Sequence, residues 1–222
     1  MDFKNKRFIL FDLDGTVSDS GPGIMNAATH VLKCFDIIEP DRNKLRRFVG
    51  PPLKDSFRDF YRITDGDKAV SVFRDYYVEK GFAENEIYPG MRELLKKLHE
   101  EEKVLIISSS KLEAMIIKVL NYFGVLEYFD IIVGATLDES RSEKSDIIRE
   151  SFNFLKKREK KLTLNEIKDL SVMIGDRIFD VNGARENGID CIGVTYGYGS
   201  REELSGASKI VDSVSELENI LI

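Results

Sequence analysis

Unbroken apolar runs and spaced apolar stripes alternate along this chain, and the first run is the sharpest. Phe8-Ile9-Leu10-Phe11, entered from Arg7, offers no polar position to water, so it predicts a strand buried on both faces. It stops at Asp12 and Asp14, with Gly15 and Thr16 following. Side chains two apart in extended chain share a side, so both carboxylates can leave the strand on one face while Gly15 turns the backbone away. Two acids at the end of a buried strand are costly unless a cation compensates them. From residue 17 to about 83 the pattern changes. Ile24, Ala27, Ala28, Val31, Leu32 and Phe35 form a helical stripe within Gly23 to Asp36, and a second helix is expected over Asp41 to Phe48. Gly50-Pro51-Pro52 breaks it, after which Leu53, Phe57, Phe60 and Tyr61, then Val70, Phe73, Tyr76 and Tyr77, resume helical spacing. No strand pattern occurs in this block. It predicts an all-helical unit whose Phe and Tyr residues are its own core.

Beyond Ile87 runs and stripes alternate again. Tyr88-Pro89-Gly90 is a turn, and Leu94, Leu95 and Leu98 mark a helix ending near Glu101. Val104 to Ile107 predicts a short strand running into Ser108-Ser109-Ser110, with Ser110 and Glu113 as a capping box for a helix from Leu112 to Phe123. Strands are expected at 131–133, 172–174, 191–194 and 210–211. Helices fall between them at 145–155, after a Thr163–Glu166 capping box, at 181–187 and from Ser215. Such alternation predicts a doubly wound, Rossmann-like parallel sheet covered on both faces. Residues 1–16 and 84–222 would form this α/β core, and 17–83 an inserted helical cap.

Composition narrows the function classes only a little. A chain of 222 residues, 42% hydrophobic and 32% charged, is ordinary globular protein. Its net charge of −6 argues against nucleic acid or an anionic membrane as partner. The first residues carry mixed charge and no apolar run long enough for a signal peptide or membrane span, so a cytoplasmic protein is expected. Cys34 and Cys191 read as buried small hydrophobes, and His30 and His99 as helix-face residues, which gives a histidine-based zinc site or triad little support.

Ligands of an open parallel sheet bind beyond the carboxyl ends of its strands. There the sequence places Asp12 and Asp14, then the serines 108–110, then Lys144 in a loop before its helix, then Gly175-Asp176-Arg177-Ile178-Phe179-Asp180. Separately, each has a plain explanation as a turn, a helix cap or a solvated lysine. Together they make carboxylates, hydroxyls and one ammonium at a single edge, a set suited to Mg²⁺ and a phosphoryl group. Asp12 can then attack phosphorus, and Asp14 can give a proton to the leaving alkoxide and take one from water.

These motifs resemble those of the haloacid dehalogenase-like hydrolases, within them the phosphoglycolate phosphatase-type branch with a helical cap. The resemblance runs through Asp-Leu-Asp-Gly-Thr at 12–16, Gly-Pro-Pro-Leu at 50–53, Tyr-Pro-Gly-Met at 88–91, Ser-Ser-Lys at 109–111, Lys144 and Gly-Asp-Arg-x-x-Asp at 175–180. It implies Asp12 as nucleophile and Asp14 as acid/base. Ser109, Lys144 and Gly15 would bind the phosphoryl group. Mg²⁺ would sit on Asp12, the Asp14 carbonyl and Asp176, with Asp180 and Arg177 supporting from behind. Three consecutive serines leave Ser108 as an alternative to Ser109. Val17-Ser18-Asp19 departs from the apolar pair many relatives carry there.

The implied activity is hydrolysis of a small phosphorylated metabolite, with a nucleotidase, pyrophosphatase or phosphomutase as alternatives and a catalytically silent phosphate-binding protein as the reading from another class. A dehalogenase would not need Asp14, and a signalling receiver domain carries its phosphorylated Asp after the third strand. Arg47 and Lys54, beside the Gly-Pro-Pro break, are the candidates for specificity toward a second anionic group.

Overall fold

In a computed structural model the chain is described over residues 2–138 and 140–222. It divides into two compact units, one of residues 1–18 with 87–222 and one of residues 19–86. The boundaries lie slightly further along the chain than the hydrophobic pattern places them.

The first unit is built on a six-stranded sheet. Its strands are β1 (Phe8–Phe11), β4 (Val104–Leu112), β5 (Ile131–Ala135), β6 (Ser171–Gly175), β7 (Asp190–Val194) and β8 (Lys209–Val211), in the order β5-β4-β1-β6-β7-β8. Every neighbouring pair is parallel. β1 lies inside the sheet because all four of its side chains are apolar and fully buried. Each such burial contributes about 1.5–3 kcal/mol. Phe11 is in register with Ile107 on one side and Ile174 on the other, so the next positions on the three strands are Asp12, Ser108 and Gly175. Strand order reverses beside β1, which makes this edge the topological switch point. Helices α5 (Met91–Glu100), α6 (Glu113–Phe123), α7 (Lys144–Arg158), α8 (Leu164–Asp169), α9 (Ile178–Asn187) and α10 (Val214–Leu221) complete the α/β architecture.

The second unit is helical, with α1 (Gly21–Cys34), α2 (Arg42–Leu45), α3 (Leu53–Tyr61) and α4 (Gly66–Tyr76), a 3₁₀ turn at Arg46–Phe48 and a π-helical turn at Tyr77–Gly81. Its core is aromatic, as the stripes predict. Phe48, Phe57, Phe73 and Tyr77 are buried, with Phe48–Phe57 and Phe73–Tyr77 centroids 4.8 and 5.8 Å apart.

Several local expectations are corrected. Two short strands, β2 (Ser18–Asp19) and β3 (Glu86–Ile87), pair with each other where the chain enters and leaves the helical unit, and β2 falls within residues 17–83, where no strand is expected. β4 continues to Leu112 instead of stopping at Ile107. Ser110 therefore lies in a strand and cannot cap α6, whose N-cap is Leu112 without a side-chain hydrogen bond. The Thr163–Glu166 capping box does form. Cys191 is buried but Cys34, in the last turn of α1, is exposed. Among the described residues no helix is long and apolar enough to cross a membrane.

Candidate active site

Burial and charge collide at the carboxyl edge of β1. Asp12, Asp176 and Asp180 are all buried, and each offers an oxygen within 4.8 Å of the others. The single buried cation among them is Lys144, whose Nζ lies 2.8 Å from Asp12 Oδ1 and 2.8 Å from Asp180 Oδ1 and donates to Ser108 O at 3.0 Å. Both carboxylate contacts are ion pairs without well-directed hydrogen bonds, since neither Oδ1 has a hydrogen-bond partner of good geometry. Lys144 is the first residue of α7 and not, as expected, in the preceding loop. Burial alone would lower its pKa, but the two carboxylates outweigh burial and raise it, so it stays charged.

One ammonium does not balance three carboxylates. Burial, reinforced by the charges of Asp180 and Asp12, raises the Asp176 pKa well above the ordinary range, and burial likewise raises Asp180. These residues fit a hard divalent cation: three buried carboxylates offer oxygens within 4.8 Å of one another, with an excess of negative charge over the one ammonium.

Asp176 is also held by two loops. Tyr198 N donates to its Oδ2 at 2.7 Å and Thr16 Oγ1 to its Oδ1 at 3.4 Å. Gly15, at φ +86°, packs so closely that a Cβ there would fall 2.2 Å from Asp176 Oδ2. A Cβ on Gly197 would fall 2.3 Å from Gly15 O and 2.5 Å from Asp176 Cβ. Tyr196 ties the same loop down by donating from its hydroxyl to Thr16 O at 3.1 Å. Sequence reading missed Tyr196, Gly197 and Tyr198. Their signal was available, because Gly197-Tyr198-Gly199 follows β7 at the same sheet edge.

Asp180 reaches back to accept from Arg177 N at 3.0 Å, so it braces both Lys144 and the start of α9. Arg177 itself turns to Glu203, with Nε 2.8 Å from Oε1. Ser108 is committed: its hydroxyl lies 2.7 Å from Ser151 Oγ, which itself donates to Ile147 O. Ser109, also buried, accepts only a long contact from Lys111 N at 3.4 Å and keeps its own proton to donate.

The Asp14 carboxylate is not a member of the buried acid cluster. It is paired with Lys111, whose Nζ lies 3.0 and 2.9 Å from its two oxygens. Lys111 entered the sequence reading only as part of a motif. In the helical unit, the Arg47 guanidinium lies over the Phe60 ring at 4.1 Å, and Lys54 Nζ is 2.8 Å from Asp67 Oδ1. A surface cavity lined by Lys6, Lys168, Arg185 and Asp190 opens at the amino ends of β1 and β7, the opposite edge from these acids.

Comparisons with known proteins show the family. A family model described as haloacid dehalogenase-like hydrolase matches residues 9–194. A 5'-nucleotidase from Pseudomonas aeruginosa is 34% identical over 88% of this chain and 86% of its own. The tyrosine-protein kinase PtkA of Mycobacterium tuberculosis is 31% identical over 94% of this chain and 68% of its own. Phosphoglycolate phosphatases from Vibrio species are more distant, at 25% and 26% identity. Among solved structures, a predicted phosphatase from Clostridium acetobutylicum is 42% identical and superposes with a TM-score of 0.87 over 96% of both chains.

Proposed function

Because the chain belongs to the haloacid dehalogenase-like hydrolases, we propose that it is a Mg²⁺-dependent phosphatase of small phosphate monoesters that works through an aspartyl-phosphate on Asp12. The observation that carries this reading is the buried set of Asp12, Asp176, Asp180 and Lys144 at the switch point of the sheet. Asp12 and Asp176, with the Asp14 carbonyl, would hold the metal. Bound there, Mg²⁺ would offset the excess carboxylate charge and withdraw charge from the phosphoryl oxygens.

The chain's own groups do the rest. Lys144 fixes the Asp12 carboxylate through its Oδ1 and supplies positive charge where phosphoryl oxygens gather. Ser109 donates its hydroxyl to one of those oxygens, a role Ser108 has given to Ser151. Asp12 attacks phosphorus, the bond to the leaving oxygen breaks, and Asp14 gives that oxygen a proton. Water then attacks the aspartyl-phosphate, the bond from phosphorus to Asp12 breaks, and Asp14 takes the water proton. Residues 1–18 with 87–222 serve as the catalytic core, and 19–86 as the cap that sets specificity.

The nucleotidase relative, closer in sequence than the phosphoglycolate phosphatases, favours a nucleoside monophosphate as a second reading beside a phosphoglycolate-like substrate. A phosphate-release screen with Mg²⁺ over both classes, inorganic pyrophosphate and sugar phosphates separates them by kcat/KM. Excess chelator is expected to abolish release, and Asp12→Asn to abolish both release and phosphoenzyme. Near-normal turnover by Asp12→Asn would remove the reading.

A further inference from the structure

Strand β4 is irregular where it matters. Ser108 pairs with Val133 of β5, yet the next paired position is Leu112 with Ala135. Ser109, Ser110 and Lys111 therefore stand against Gly134 alone, a bulge that re-aims the side chains it carries. Gly134 allows it: a Cβ there would lie 2.7 Å from the backbone of Glu113, the residue that follows the bulge into α6. The bulge delivers Lys111 Nζ to both oxygens of Asp14, and both side chains are largely shielded from solvent, at 9% and 18% exposure.

Lysine has three donors and a carboxylate about four acceptor sites. One ammonium spanning both oxygens fixes the plane of the carboxylate and leaves further acceptor sites for a water. We propose that Lys111 is a positioning residue that holds the Asp14 carboxylate for the second half-reaction, the hydrolysis of the aspartyl-phosphate. The proposal rests on the phosphatase reading above. In that step water forms a bond to phosphorus, the bond to Asp12 breaks, and the water proton passes to Asp14, which returns it to the next leaving oxygen. Lys111 keeps its charge throughout and touches no reacting atom.

The two half-reactions can be read separately. With an aryl phosphate the leaving group needs no proton, so kcat/KM reports attack by Asp12 and kcat reports hydrolysis of the intermediate. A misaimed base costs roughly 10–100-fold. Lys111→Met is expected to lower kcat by about that factor, to lower KM with it, and to leave kcat/KM within about twofold. Acid-quenched phosphoenzyme should accumulate in the variant, and Lys111→Arg, which restores a spanning donor, should recover most of kcat. Lys111→Gln, a smaller change, serves if the methionine variant does not fold. An unchanged kcat, or an equal fall in kcat and kcat/KM without added phosphoenzyme, would overturn the proposal. Phosphoenzyme in the wild type, lost in Asp12→Asn, keeps the phosphatase reading standing when Lys111 fails. Turnover by Asp12→Asn would remove both.

Discussion

The sheet edge and the helical unit spend their charged side chains in opposite ways. At the edge, Lys144 is 5% exposed and bears on two carboxylates, so its removal leaves buried charge without a partner. In the helical unit, Lys54 and its partner Asp67 are 57% and 90% exposed, and Arg47 lies on an aromatic ring at the surface. The first arrangement is expensive to build and is explained only by chemistry. The second costs little to build, so its presence alone says nothing about chemistry. The difference teaches where function can be read from physics: buried charge is informative, exposed charge is not.

The largest effect follows from breaking the buried set. Lys144→Met keeps the volume of the side chain but leaves Asp12, Asp176 and Asp180 facing one another. Removing one partner of a buried ion pair costs about 3–5 kcal/mol, so the variant should unfold at far lower denaturant concentration than the wild type and lose turnover. Mg²⁺ should recover part of the stability, because the cation replaces some of the missing charge.

A second prediction uses pH on the metal-free protein. Asp176 and Asp180 have folded-state pKa values raised above their ordinary value, chiefly by burial. The folded chain therefore binds protons that the unfolded chain has already released. The stability this contributes is fully present below the ordinary carboxylate value of about 3.9 and is lost as pH rises through the raised values. In chelator, Tm should thus rise as pH is lowered from about 8 toward 6, before other carboxylates begin to protonate. Saturating Mg²⁺ should flatten that slope. A metal-free Tm that falls over the same interval would show that the three acids are not charged neighbours.

How much of this was legible in the sequence follows the same division. β1 was plain because Phe8–Phe11 is unbroken and apolar, and Asp12, Lys144, Asp176 and Asp180 were found because topology alone sends them to one edge. The β4 bulge was not legible. Ser-Ser-Ser-Lys carries no apolar periodicity, and Ser110 with Glu113 imitates a capping box, so the strand was ended too early and the Lys111–Asp14 pair went unseen. The loop at Tyr196–Gly199 was missed for another reason. Its role is close approach to Asp176, and a glycine's role of that kind depends on contacts distant in sequence.

That loop supplies a third, intermediate effect. Gly197→Ala must displace either the Gly15 carbonyl or Asp176, since its Cβ has no room between them. Overpacking of this kind typically costs about 1–3 kcal/mol. Because Asp176 belongs to the proposed metal site and Gly15 packs directly against it, Mg²⁺ affinity measured by calorimetry should weaken more than stability does. Equal Mg²⁺ affinity in the variant and the wild type would separate the loop from the site.

The smallest effect on stability is expected in the helical unit, and it tests whether that unit sets specificity as proposed. An exposed ion pair such as Lys54–Asp67 is worth about 0–1 kcal/mol, and an exposed cation–π contact such as Arg47–Phe60 about 0.5–1 kcal/mol. Arg47→Ala and Lys54→Ala should each shift Tm by only a few degrees. Their effects on substrate choice should differ. The Lys54 ammonium is already neutralised by Asp67, whereas the exposed Arg47 guanidinium lies over the Phe60 and Tyr61 rings at 4.1 and 5.4 Å, which leave its charge unneutralised. Arg47→Ala should therefore lower kcat/KM for a substrate bearing a second anionic group by roughly tenfold, the worth of one charge-assisted hydrogen bond. Lys54→Ala should change it by less than about twofold, as an exposed, already paired lysine does. Neither should alter hydrolysis of a phosphate ester with a neutral tail. If Arg47→Ala lowers both substrates equally, the arginine supports the fold of the helical unit and does not read the substrate. If it lowers neither, specificity lies elsewhere in residues 19–86.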